Sequence, residues 1–96
     1  MIKRIVIWTL KPEEREASVA EMKRLMEAMR GSVEGLMHLE VGVNELDEAG
    51  AGDVVLYAEF ANQAALDVYQ DHPDHLRLKA YVGPRRLSRV VVSYEA

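Results

Sequence analysis

The sequence lacks cysteine altogether, and its 96 residues include one tryptophan, one phenylalanine and three prolines. The absence of cysteine excludes a disulfide framework, a thiol nucleophile and a thiolate metal site, and it suits a reducing cytoplasm. Acidic residues outnumber basic ones by 16 to 12, giving a net charge of −4. That balance argues against general nucleic-acid binding.

Long apolar runs are also missing, so the chain has no candidate membrane span. Residues 1–10 are too short for a signal peptide and are followed at once by charge. The expectation is a cytoplasmic protein with no nucleic-acid or membrane partner. The length predicts one domain, residues 1–96, with one modest core.

The distribution of β-branched and helix-forming residues predicts the order β-α-β-β-α-β. Pro12 suits the opening of the first helix, and Gly31 suits the position just past its end. Asn62 suits the N-cap of the next helix, and Pro73 divides that second helical region in two. The predicted strands cover residues 2–10, 36–44, 53–60 and 87–94.

This order is that of an α+β, ferredoxin-like fold. It predicts a four-stranded antiparallel sheet in the order 4-1-3-2, with a split second helix and with all helices on one face.

Three of the predicted strands are apolar on both faces. A half-exposed antiparallel strand alternates apolar and polar residues, and these strands do not. The helices can cover only one face of the sheet, so the other face needs a partner, and a second copy packing sheet on sheet is the simplest one. On the first strand one face has Ile5 and Ile7 and the other has Val6, Trp8 and Leu10. The two faces of the third strand have Val55 and Tyr57, and Val54, Leu56 and Phe60. Those of the fourth have Val90, Val92 and Tyr94, and Leu87 and Val91.

Residues 69–75 read Tyr-Gln-Asp-His-Pro-Asp-His and hold two of the three histidines. Pro73 suits the first position of a helix, which places His72 at the cap and His75 in the first turn. The positive end of the helix dipole favours a neutral imidazole and lowers its pKa, so that the ring can accept a proton at neutral pH. The alternative is ordinary capping and turn chemistry with no catalytic role.

The chain resembles the stress-responsive dimeric α/β barrel (Dabb) family over nearly its whole length. The Tyr-x-x-His-Pro-x-His run from Tyr69 to His75 is the most specific part of the resemblance. The other parts are Met-Ile-Lys at 1–3, Gly-Leu at 35–36, Glu-Val-Gly at 40–42, Glu-Phe at 59–60, Ala-Leu at 65–66 and Val-Val-Val-Ser-Tyr at 90–94.

The resemblance implies a ferredoxin-like dimeric α+β barrel, formed as a homodimer through the sheet faces. The wider superfamily includes cofactor-free monooxygenases, muconolactone isomerases and haem enzymes, and a plant member is a polyketide cyclase. By resemblance to that cyclase, His75 is a catalytic general base and Tyr69 polarises a carbonyl. Two departures stand out: Arg4 occupies a position that is often histidine, and Val54 lies near the place of a second pocket histidine.

A ligand pocket is expected between sheet and helices. Arg4 alternates with Val6 and Trp8, so it either faces this pocket, where it suits an anionic group, or snorkels from the strand end. The expected ligand-binding residues are Arg4, Val6, Trp8, Val54, Leu56 and His72.

No cofactor is expected, with one qualification from the family. Some members hold Mg²⁺ through backbone carbonyls, and the matching residues here are Arg30, Val33 and Leu36. A second cluster, formed by His72, His75 and their neighbouring aspartates, lacks the third ligand that would make a metal site convincing.

Three functions remain open at this stage. The first is an enzyme that acts on a carbonyl compound through His75 and Tyr69. The second is a non-catalytic homodimer with a ligand-binding or stress role, which a collapsed cavity filled by Trp8, Met26 or Tyr81 would favour. The third is a cofactor-free monooxygenase, which would take up oxygen with a quinol-type substrate.

Overall fold

The computed structural model describes residues 1–96, which form four strands, three α-helices and one 3-10 turn. In chain order these are β1 (Ile2–Leu10), α1 (Arg15–Glu27), β2 (Leu36–Val43), β3 (Val54–Phe60), α2 (Gln63–Asp71), α3 (Pro73–Val82), the 3-10 turn Gly83–Arg85, and β4 (Arg86–Glu95).

The four strands make one antiparallel sheet in the order β2-β3-β1-β4. Read from the other edge, this is the order 4-1-3-2, so the ferredoxin-like α+β fold predicted from the sequence is confirmed. At the centre of the sheet Val6 of β1 lies opposite Leu56 of β3 on one side and Val91 of β4 on the other. Residues opposite one another in an antiparallel sheet share a face, so these pairs define the helix side.

The core lies between the helices and one face of the sheet. Alternate residues of β1 and β3 are buried there, as the pattern predicted. Methionines of α1 fill the layer above them, which agrees with their adaptable shape. The largest fully buried side chains are Tyr69, Phe60, Leu10, Met22, Met26, Met29, Leu56 and Val54.

The opposite face of the sheet carries no helix. We call it the open face, and its apolar residues are Ile5, Ile7, Val55, Tyr57, Val90, Val92 and Tyr94. Strand β4 is an edge strand, and all ten of its residues are exposed.

The second helical region is split as predicted. The Asn62 side chain accepts a hydrogen bond from the Ala65 N–H at 2.9 Å and so caps α2. His72 Nδ1 accepts a bond from the Asp74 N–H at 3.0 Å and caps α3, with Pro73 in the first position. None of the three helices has the length and apolar character needed to cross a membrane.

Three local expectations are wrong. Helix α1 ends at Glu27 with Ala28 as its C-cap, so Gly31 lies three residues past the cap and not directly after the helix. Helix α1 begins at Arg15 and not at Pro12, because Glu14 adopts a left-handed conformation with φ of 57°. Leu87, expected to share a face with Val91, is 61% exposed. The register of β1 and β4 shifts at this point, pairing Leu10 with Arg86, so Leu87 lies at the irregularity.

Candidate functional site

A pocket of about 440 Å³ lies on the helix side of the sheet, at the edge that α1 does not cover. Strands β1 and β4 form its floor, α3 forms one wall, and the corner between α2 and α3 closes one end. Of the residues expected at the site, the pocket is lined by Arg4, Val6, Trp8, Leu56, Tyr69 and His75.

Two expected ligand-binding residues do not line this pocket. Val54 is buried in the core on β3, which lies across β1 from β4, and in register it is opposite Trp8. His72 is occupied as the cap of α3, with its Nδ1 bonded to the Asp74 N–H. The sequence also predicted His72 at this cap, and because a cap side chain turns back onto its own helix, His72 does not reach the pocket.

Tyr69 and His75 lie together at one end of the pocket. Their ring centroids are 4.4 Å apart, and Phe60 packs on Tyr69 at 4.8 Å. Tyr69 is only 1% exposed, yet no hydrogen bond within the chain engages its hydroxyl. This hydroxyl is therefore free to donate to a ligand.

The hydrogen bonding of His75 determines which of its nitrogens is available. His75 Nδ1 lies 3.0 Å from the carbonyl oxygen of Gln70. A carbonyl can only accept, so Nδ1 carries the proton and donates it. In the neutral ring Nε2 then holds the free lone pair.

The pKa values of His75 and Tyr69 are shifted in the directions that keep both side chains neutral at neutral pH. Burial lowers the pKa of His75, and the nearby cations Arg4, Lys79 and Arg89 lower it further, against the raising effect of the Gln70 carbonyl. Burial raises the pKa of Tyr69 to about 12. The direction for His75 agrees with the sequence prediction, and its largest cause is burial. A neutral imidazole beside a protonated phenol is a base next to a hydrogen-bond donor.

We expect the His75 ring to titrate below the reference value of about 6.5 for an unperturbed histidine. Its pKa is depressed on folding, so its contribution to stability is complete above that reference value and is lost as the pH falls through the folded pKa. NMR titration of the imidazole signals, assigned with a His75→Gln variant, measures the midpoint. A midpoint at or above 6.5 would contradict the buried, cation-facing position.

Four cationic side chains line the pocket: Arg4, Lys79, Arg86 and Arg89. No aspartate or glutamate lines it, and none of the four takes part in a salt bridge of the chain. Arg4 is 8% exposed, and its Nη1 donates to the Ser93 hydroxyl at 3.0 Å. In a protein of net charge −4, this concentration of unpaired cations favours an anionic ligand.

The region matched by family resemblance to a magnesium site offers little to a cation. Val33 O accepts the Leu36 N–H at 3.3 Å, and the Arg30 guanidinium donates to Leu39 O at 2.8 Å and pairs with the Glu27 carboxylate at 3.4 Å. No group of three histidine, aspartate or glutamate side chains gathers anywhere in the chain to hold a metal. Magnesium sites in proteins normally include carboxylates. The side chains of this turn do not fit a magnesium site, and binding through the carbonyls stays a prediction.

Comparison with known families gives one match, which covers almost the whole chain. The family described as the stress responsive A/B barrel domain matches residues 2–96. No curated protein matches the sequence.

Solved structures share the fold over its full length. A dimeric ferredoxin-like protein of unknown function from Bacteroides fragilis NCTC 9343 is 27% identical, with a TM-score of 0.89 over 99% of this chain and 95% of that one. A Dabb family protein from Mesorhizobium loti maff303099 is 25% identical, with a TM-score of 0.76 over 99% and 95%. An antibiotic biosynthesis monooxygenase is 23% identical, with a TM-score of 0.80 over 100% and 98%, and at that identity the likeness shows the fold alone.

Proposed function

The chain belongs to the stress-responsive A/B barrel (Dabb) family, and we propose that its pocket binds a small, mainly apolar molecule with a carbonyl or anionic group. We propose further that His75 and Tyr69 carry out acid–base chemistry on that carbonyl. The observation that carries the proposal is the pairing of a free Nε2 on His75 with an unbonded hydroxyl on Tyr69, inside one pocket.

The shape of the pocket favours binding over a purely structural role. A structural role was expected to leave the cavity collapsed, with Trp8, Met26 or Tyr81 in it. Here Trp8 forms part of the floor, Met26 is fully buried in the core, and about 440 Å³ remains open. Apolar walls with a few convergent polar groups are typical of small-molecule sites, and Leu78 and Val82 of α3 complete those walls.

The chemistry that fits this arrangement is proton transfer from carbon. His75 Nε2 takes the proton from the carbon next to the carbonyl, the electron pair of that C–H bond forms a carbon–carbon double bond, and the π pair of the carbonyl moves onto its oxygen to give an enolate. The Tyr69 hydroxyl donates a hydrogen bond to this oxygen, and the Arg4 guanidinium offsets its charge. The enolate can then attack a second carbonyl or be reprotonated.

A homodimer formed through the open face is part of the proposal. The open face presents apolar side chains of β1, β3 and β4, several of which are exposed in the single chain. Its main polar pair is already satisfied within the chain, since the Tyr57 hydroxyl donates to the Glu59 carboxylate. A second copy would bury this surface against an identical one, and the Bacteroides fragilis protein with this fold is described as dimeric.

Solvent deuterium exchange tests the chemistry without knowledge of the natural substrate. The probes are 1-phenylpropan-2-one and its para-carboxylate, which share one carbon acid and differ in charge. We expect saturable, protein-dependent loss of the methylene proton signal in D₂O, and binding seen as a change in fluorescence of Trp8, the only tryptophan. Binding without exchange would favour a ligand-binding protein, and oxygen consumption with a quinol in place of exchange would favour the monooxygenase alternative.

A further inference from the structure

The pocket has two ends, and the connectivity of the chain fixes their positions. On the floor, Arg4 lies opposite Ser93 at one end, and Trp8 lies opposite Arg89 towards the other, with Arg86 just beyond it opposite Leu10. On the wall, α3 begins near Arg4, whose charge acts on His75. The helix ends at Val82, which the Gly83–Arg85 turn joins directly to Arg86. Helix and floor strands therefore run along the same length of pocket.

That length follows from the geometry of its elements. Arg4 and Trp8 are four residues apart on β1, which at 3.3 Å per residue is about 13 Å. His75 and Val82 are seven residues apart on α3, which at 1.5 Å per residue is about 10 Å. The two measures agree that the ends are separated by roughly 10 to 13 Å.

Charge and apolar surface alternate along this length. The inner end holds Tyr69, His75 and the nearly buried Arg4, and the middle is floored by Val6 and Val91. At the outer end Arg89 lies opposite Trp8 and Arg86 lies opposite Leu10, and Lys79 lies on α3 one helical turn beyond His75 in that direction. No carboxylate of the chain neutralises either end.

We propose that Lys79 and Arg86 form a second anion subsite, and that the pocket takes an elongated ligand with an oxygen function at the inner end and a carboxylate or phosphate at the outer end. The proposal rests on the proposed function, which places the carbonyl beside Tyr69 and His75. It adds the ligand's length and the position of its second charge. Arg86 offers a planar donor pair to such an anion, and Lys79 offers a point charge.

A solvated strand start is the other interpretation of the basic residues at 85, 86 and 89. Arg85 fits it, because its guanidinium lies over the Tyr81 ring at 3.9 Å and donates to the Tyr81 carbonyl. Arg86 and Arg89 have no such partner and line the pocket. The register shift between β1 and β4 brings Arg86 opposite Leu10, on the helix side, and this position is what distinguishes it from Arg85.

Fluorescence of Trp8 on the pocket floor measures the binding of matched probes. One series runs through monocarboxylates from hexanoate to tetradecanoate, and the other through the dicarboxylates of equal length. We expect decanedioate and dicarboxylates of similar length to bind about tenfold more tightly than the monocarboxylates of equal length, equivalent to about 1.4 kcal/mol. The shortest dicarboxylates should show no such advantage. Comparison of decanedioate with 10-phosphonodecanoate distinguishes a carboxylate from a phosphate at the outer end.

Variants locate the second charge. The Lys79→Gln, Arg86→Gln double variant should lose the tenfold advantage of decanedioate and bind it no better than decanoate, with both affinities measured on the variant itself. Lys23→Gln removes one positive charge from the exposed side of α1 and should leave the advantage of decanedioate unchanged.

Two results separate this proposal from the proposed function. If monocarboxylates bind, and if every dicarboxylate binds only as tightly as the monocarboxylate of equal length, the outer subsite is wrong. Ligand binding at the pocket is then still supported. If neither series of acids changes the fluorescence of Trp8, and neutral 1-phenylpropan-2-one does not change it either, both the subsite and ligand binding at this pocket are wrong.

Discussion

Replacing His75 by alanine is expected to lower the rate of proton exchange from a bound ketone by about 10²–10⁴, the usual effect of losing a positioned general base. The reason is that His75 Nε2 is the only free lone pair of an imidazole in the pocket, and Nδ1 is committed to the Gln70 carbonyl. His75 is half-buried at the start of α3, so the fold should survive the change. Exchange measured by NMR at saturating ketone gives the rate, and circular dichroism reports the fold.

His72→Ala is the matched control, because it removes the other histidine of the same motif. His72 caps α3 and does not line the pocket. Loss of a cap costs about 1 kcal/mol of stability, so this variant should unfold at lower denaturant concentration and still exchange at the original rate. Equal exchange by the original protein and the His75 variant would remove His75 from the mechanism and leave a binding protein.

The fold was predictable because its signals are local and repeated. Two apolar faces on three strands required cover on both sides, and the order of elements left one sheet topology that fits. The start of α1 was not predictable in the same way. Pro12 is an ordinary helix opener, but the chain makes a turn through Glu14 in the left-handed region, and no glycine marks that position in the sequence.

The site was predictable in part, for reasons that differ along the chain. Strand alternation placed Arg4, Val6 and Trp8 on the helix side, where the structure has them. The same alternation could have placed Arg89 there, since it has the same parity as Val91. Arg86 could not be found this way, because a register shift between β1 and β4 reverses the parity of β4 at that end.

Replacing Val92 by aspartate is expected to dissociate the proposed homodimer. Val92 lies opposite Ile5 in the centre of the open face, and in the single chain it is 54% exposed. In a dimer formed through this face two unpaired carboxylates would be buried against apolar side chains, at a cost of several kcal/mol. The measurement is molar mass by light scattering, where the original protein should give about twice 10.8 kDa and the variant 10.8 kDa.

Val68→Asp is the matched control for that variant. Val68 is 57% exposed, almost the same as Val92, but it lies on α2 in the helix layer, on the other side of the sheet. The two substitutions add the same charge at equally exposed valines, so a difference in mass between them reports the face and not the charge. A monomeric original protein at micromolar concentration, or a Val92 variant that remains dimeric, would mean that the open face is not the interface.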